Sequence, residues 1–261
     1  MSDLFRLDGR VAFVSGAAGH LGRETARVLC EAGAHVILNG RNDARLKDFE
    51  GELKSQGHSA LCAAFDVGDF ARVRAFFGAL PRLDVLVNNA ISMAPKPFAD
   101  LQPSDFETAY ATSVTAAFES VRAAKPALLK AAEEAGEASI VNIASMYGVV
   151  SPDARIYAQP GQASPFHYGP AKAALLQLTR HLAAELGPAR IRVNALVPGP
   201  FPRDEVRSAD PGFAACLAAK TMLGRTGSAC EIRGPLLFLA TKASSFVTGA
   251  ALTVDGGWTA W

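Results

Sequence analysis

Tyr168 and Lys172 stand four residues apart at the head of an apolar stretch, YGPAKAALLQLTRHLAAEL. On a helix this spacing puts a phenol and an ammonium on one face, one turn apart. The positive charge favours the phenolate and lowers the tyrosine pKa, so the pair is a proton-transfer device. Many surface helices carry the same spacing, so alone it is weak. Two further features make it specific: Ser145 upstream, and the small-residue run Ser15-Gly16-Ala17-Ala18-Gly19-His20-Leu21-Gly22 near the N-terminus. Hydride transfer to a carbonyl creates an alkoxide, which needs a proton donor and a second hydrogen bond. A glycine-rich turn that opens a helix brings backbone N–H groups and positive potential to a pyrophosphate. Tyr157 is a decoy, because Gly161 and not a lysine stands four residues on.

The elements that must position these residues alternate. Strands are expected at 11–15, 35–39, 60–65, 84–90, 139–145, 191–198 and 251–257. Helices are expected from His20 to Ala32, and near 42–56, 69–78, 103–131 and 168–186. Alternating strands and helices predict a mostly parallel, seven-stranded sheet flanked by helices, a doubly wound α/β fold. Two proline-rich irregular stretches, 146–166 and 198–212, each follow a strand, at the sheet edge where ligands bind in such folds. Pro170 removes a helical hydrogen bond unless it lies in the first turn, so the helix must begin only a few residues before Tyr168, or kink there.

Composition narrows the function classes. Of 261 residues, 49% are hydrophobic, enough for a sizeable core, and no domain boundary stands out, so one domain over 1–261 is expected. A formal net charge of +1 with no basic run argues against nucleic acid or an anionic membrane as partner. No secretory leader and no membrane span are expected, which points to the cytoplasm. The four cysteines show no metal-ligand spacing, so reduced, mostly buried thiols and no metal are expected.

The chain resembles the short-chain dehydrogenase/reductase family over nearly its full length. The residues that carry the resemblance are SGAAGHLG at 15–22, Asp66-Val67, Asn88-Asn89-Ala90, Ser145, Tyr168 with Lys172, Val193-Asn194, Pro198-Gly199 and the terminal VDGGW. The resemblance implies a single Rossmann-type, nicotinamide-dependent catalytic domain. It makes Tyr168 the general acid/base, Lys172 its pKa depressor and a ribose ligand, and Ser145 the partner of the substrate oxygen. It places Gly16, Ala18, His20, Leu21, Gly22, Asp66, Val67, Asn88, Ala90, Pro198 and Gly199 around the cofactor, and it implies a homotetramer or homodimer.

Departures from the family pattern are equally informative. His20 stands where a glycine is usual, and its side chain is expected to swing away from the phosphates. Ser113 aligns with an asparagine that helps hold a water linking the lysine to solvent. Ile91 replaces a glycine, and the threonine often found soon after Pro198-Gly199 is absent. The stretch between Ser145 and Tyr168 is longer than usual, and the extra residues, within 151–167, are expected to extend the loop over the substrate. At the end of the second strand Gly40 occupies the place of an acid that binds the ribose diol of NAD, and Arg41 follows. With no carboxylate to repel a 2′-phosphate and a guanidinium to pair with it, NADP is favoured, with NAD possible.

The expected activity is interconversion of a secondary alcohol and a ketone, on a sugar, sugar-acid or polyol substrate. Arg155, His167 and Arg203 are candidates for binding an anionic or polyhydroxy substrate. The alternatives are a 3-oxoacyl thioester reductase and a non-catalytic, cofactor-binding regulator.

Overall fold

Seven parallel strands form one sheet in the order β3-β2-β1-β4-β5-β6-β7. They are β1 Val11–Val14, β2 His35–Gly40, β3 Ala60–Ala64, β4 Val85–Asn88, β5 Ala138–Ile143, β6 Ile191–Pro198 and β7 Ala251–Val254. This computed structural model describes residues 3–91, 95–157 and 164–261. All expected strands are present and the sheet is wholly parallel. Every residue of β5 and β6 is buried, as expected of strands covered on both faces, whereas edge strand β7 is not.

Alternation along the strands divides the core into two layers. Ala12 and Val14 of β1 face one layer with Leu29 of α1 (His20–Glu31), Phe49 of α2 (Asp43–Ser55) and Leu236 of α9 (Arg233–Ala240). Phe13 faces the other, with Phe77 of α3 (Phe70–Gly78), Leu128 of α5 (Ala116–Ala135) and Leu182 of α6 (Tyr168–Leu186). The strand order reverses between β1 and β4, which opens a crevice at their C-terminal ends.

Three expectations need correction. The long helix expected at 103–131 is α4 (Pro103–Tyr110), a π turn at Ala111–Thr115, and then α5. Thr112 lies in that turn, and its hydroxyl donates to the Thr108 carbonyl at 2.9 Å, competing with the backbone ladder. The irregular stretch at 198–212 is shorter than expected. It gives way to α7 (Asp204–Ala209) and α8 (Pro211–Ala219), the latter opened by Asp210, whose side chain accepts from the Phe213 N–H at 2.8 Å. The thiols are not mostly buried, since Cys216 and Cys230 are exposed.

Candidate active site

The glycine turn is held open from below. Ser15 Oγ accepts from the Asn89 and Ala90 N–H groups at 2.9 and 3.0 Å and donates to the Val87 carbonyl. The Asn89 side-chain amide donates to the carbonyls of Ser15 at 2.9 Å and Gly16 at 3.2 Å. Ser15 therefore tethers the turn to the segment that follows β4. Gly16 has φ +64°, and a Cβ on Gly22 would meet the Gly16 carbonyl oxygen at 2.1 Å. Neither position tolerates a side chain, which is why the turn can bring its N–H groups close to a ligand.

The loop after β5 and the start of α6 are pressed together in the same manner. A Cβ on Gly148 would lie 2.8 Å from the Lys172 carbonyl carbon, and one on Gly169 would lie 2.8 Å from the Tyr147 carbonyl oxygen. This close approach brings Ser145 to Tyr168, whose phenol can hydrogen-bond it. Helix α6 starts at Tyr168, so Pro170 lies in its first turn, where its missing N–H has no helical acceptor to serve. A buried polar chain anchors the helix further along. Asn88 donates to Asn142 at 2.8 Å, Asn142 to Thr179 at 2.9 Å, and Thr179 to the Leu175 carbonyl at 2.8 Å.

Lys172 is 3% exposed, its Nζ donating to the Ile143 carbonyl at 2.6 Å and lying 5.8 Å from the centre of the Tyr168 ring. Burial lowers its pKa to about 8. Tyr168 is pushed upward by burial, with the Ser145 hydrogen bond acting weakly the other way. The expected depression of the tyrosine by the lysine is therefore not a property of the protein alone. Desolvation of both groups dominates, and the phenol is held protonated.

One cleft of about 570 Å³ gathers nearly every residue singled out from the sequence: Gly16, Ala18, His20, Leu21, Gly22, Arg41, Asp66, Val67, Ala90, Ser145, Tyr168, Lys172, Pro198 and Gly199. Asn88 and Ser113 are elsewhere. They line a separate void of about 10 Å³ that also touches Lys172, with room for about one water. Sequence reasoning missed Asn89, the tether of the turn, and Arg45, which lines the cleft beside Arg41. Asn89 sits within the quoted Asn-Asn-Ala motif, but its role depends on which of two adjacent asparagines points at the turn. Arg45 carries no local signal. It comes to the cleft because Asn42 Oδ1 caps α2 by accepting from the Arg45 N–H at 3.0 Å.

Dimensions and chemistry fit a dinucleotide. The cleft runs from Arg41, largely exposed with its nearest carboxylate Asp66 at 3.9 Å, past the glycine turn to Tyr168. Gly40 has only ordinary contacts around its missing Cβ, so no acid is needed there for packing. Gly199 closes the far end. A Cβ there would strike Asp255 at 2.5 Å, and Asp255 in turn accepts from the Gly257 and Thr259 N–H groups.

The region over the substrate side is built from the 146–157 loop and α8. Tyr147 and Tyr157 hydroxyls are 3.0 Å apart, Tyr157 packs on Phe213, and Asp153 pairs with both Arg155 and Lys220. Met146, Ile156, Leu217 and Trp258 form a small core beneath. The rest of the expected 151–167 extension, residues 158–163, lies outside the described residues. His167 is buried against Phe106, and Trp261 is exposed. Among the described residues no cluster of three His, Cys, Asp or Glu side chains could hold a metal ion. No helix there is long and apolar enough to cross a membrane.

Fold and cleft together define a nicotinamide-dependent oxidoreductase class. A family model described as enoyl-(acyl carrier protein) reductase matches residues 16–259. Gluconate 5-dehydrogenase of Gluconobacter oxydans (strain 621H) is 34% identical over 261 residues, covering 98% of this chain and 96% of that protein. The rhamnolipids biosynthesis 3-oxoacyl-[acyl-carrier-protein] reductase of Pseudomonas aeruginosa is 33% identical over 263 residues, covering 98% and 99%. The crystal structure of a gluconate 5-dehydrogenase from Burkholderia cenocepacia J2315, in complex with NADP and tartrate, superposes with a TM-score of 0.86. That chain is 32% identical, with 99% of this chain and 98% of that one covered. This chain belongs to the short-chain dehydrogenase/reductase family and is an oxidoreductase acting on CH–OH donors.

Proposed function

We propose that the chain is an NADP(H)-preferring dehydrogenase, one catalytic domain over 1–261, that interconverts a secondary alcohol and a ketone on a sugar-acid or polyol substrate. The observation that carries this reading is the convergence of Ser145, Tyr168 and Lys172 on the cleft that also holds the glycine turn and Arg41. Relatives named for gluconate support the substrate class.

The nicotinamide, when bound, supplies or accepts the hydride. The protein's own groups handle the oxygen and the proton. Tyr168 is protonated at neutral pH, and burial raises its pKa further; it donates its hydroxyl proton to the oxygen of a ketone as that oxygen becomes an alkoxide. Ser145 Oγ hydrogen-bonds the same oxygen and fixes its position. In the alcohol-to-ketone direction the phenol must ionise, and a nearby positive charge is what makes this possible. Lys172 provides one such charge below its pKa of about 8 and is proposed to hold the ribose. Ser113, on the void beside Lys172, is proposed to keep a water there as a proton exit. Arg41 and Arg45 pair with the 2′-phosphate of NADP. The chain is proposed to work in the cytoplasm as a homotetramer or a homodimer.

A 3-oxoacyl thioester reductase is the second reading, supported by the rhamnolipids reductase at a similar identity. A panel of sugar acids, polyols, steroids and 3-oxoacyl thioesters, followed by NADPH fluorescence, separates the two. Turnover confined to acyl thioesters overturns the sugar-acid reading. NADPH binding without turnover on any of them makes the chain a cofactor-binding regulator.

A further inference from the structure

The cleft is unevenly charged. Asp66 is its only carboxylate among the described residues, against Arg41, Arg45, Lys172 and Arg203. Arg41 and Arg45 lie at the β2–α2 end, and Lys172 is buried at the opposite end. Arg203 comes from the segment between β6 and α7 and lines the same cleft as Gly19, His20 and Leu21 of the glycine turn. Its charge bears on the His20 ring, as do those of Asp204 and Arg207. His20 is the first residue of α1, within the phosphate turn itself.

Several polar groups in this corner lack partners. His20 Nε2 is buried without a hydrogen bond, and so is Arg207 Nε. Arg207 otherwise donates to the Gly227 carbonyl and lies 3.9 Å from Asp204. Arg203 makes no ion pair among the described residues, although Asp204 is its neighbour in sequence. Arg203 is exposed and its side chain caps nothing, so folding does not explain its place. A corner with surplus cations and an orphaned imidazole nitrogen, facing a cleft beside a helix N-terminus, is complementary to an anion.

We propose that Arg203, with His20 beneath it, is a second anion-binding arm that holds the pyrophosphate of the dinucleotide across from the glycine turn. This rests on the NADP reading above and assigns Arg203 to the cofactor rather than to the substrate. The residue is a positioning residue, with no part in the chemical step.

The test is binding, read by NADPH fluorescence and by calorimetry with two fragments. ADP carries the pyrophosphate without a 2′-phosphate; adenosine 2′-monophosphate carries the reverse. Arg203→Ala is expected to weaken NADPH and ADP by about tenfold or more and to leave adenosine 2′-monophosphate unchanged, as loss of a charge-assisted bond implies. Arg203→Lys should recover part of the loss. Arg41→Ala should show the opposite pattern, weakening NADPH and adenosine 2′-monophosphate while sparing ADP. Unchanged NADPH and ADP binding in Arg203→Ala overturns the proposal. If that variant instead raises only the KM for carboxylate-bearing substrates, the cation serves the substrate and the proposal also fails. Wild-type protein that binds none of the three probes overturns the NADP reading itself, a result distinct from either.

Discussion

Two ionisable side chains, the half-buried Tyr168 and the buried Lys172, set the pH behaviour of the site. Tyr168→Phe removes only the hydroxyl, so the fold and NADPH affinity should persist while turnover falls by about 10²-fold or more, as loss of a general acid implies. Retained turnover on the true substrate would end the assignment. Lys172 gives a stability prediction with a definite sign. Its pKa falls from 10.5 to about 8 on folding. The native state therefore binds this proton more weakly than the unfolded chain, at a cost of about 3 kcal/mol below pH 8. The cost is relieved as pH rises from about 8 to 10.5. Lys172→Met should unfold at higher denaturant than wild type at pH 7, by roughly 1–2 kcal/mol once the Ile143 carbonyl has lost its donor. That advantage should shrink towards pH 10.5, and a constant gap would contradict it. At the other end of the cleft, Gly40→Asp meets no steric obstacle. A carboxylate there should weaken NADPH and strengthen NADH; wild type that already prefers NADH by titration would refute the role given to Arg41.

Glycines inside or between the elements differ in whether their absent side chain is needed. Gly148 lies where the Ser145 loop crosses α6, and an added methyl would press on the Lys172 backbone at 2.8 Å. Gly148→Ala should separate Ser145 from Tyr168, lowering turnover and costing about 1–3 kcal/mol by overpacking. Gly51 is the contrast. It lies inside α2 with open space around it, and Gly51→Ala should raise stability by about 0.5–1 kcal/mol without touching activity. Parallel calorimetric melts of the two variants check both signs. Similar destabilisation by both would mean that close approach is not what Gly148 provides.

At the scale of the whole molecule, α4 and α5 leave large apolar groups outside. Phe106, Tyr110 and Phe118 are 38–42% exposed, close to the exposed pair of Phe98 and Phe166. Helices that already cover one face of the sheet leave such surface for another copy of the chain to bury. Light scattering should give a multiple of 27.4 kDa at micromolar protein, and Phe118→Glu should shift it downward. A monomeric wild type would remove the oligomer from the proposal.

Strand periodicity was sufficient for the wholly buried β5 and β6 and the parallel order, the glycine run and the Tyr168–Lys172 spacing for part of the cleft, and the family resemblance for the rest of its fourteen expected residues. These are legible because hydrophobic period and helical spacing are local, and a motif places its members by covalent distance alone. What was not legible depends on contacts between distant segments. The π turn at Ala111–Thr115, the helix α7 within the stretch expected to be irregular, and the roles of Asn89 and Arg45 are of this kind. Asn88 was read as a cleft residue, yet its side chain is tied to Asn142 and, through it, to Thr179, and it lines a separate small void with Ser113 and Lys172. The raised pKa of Tyr168 is the sharpest case. Spacing brings a cation near the phenol, but the proton affinity of Tyr168 depends on how much water the packed helix excludes, and burial raises it.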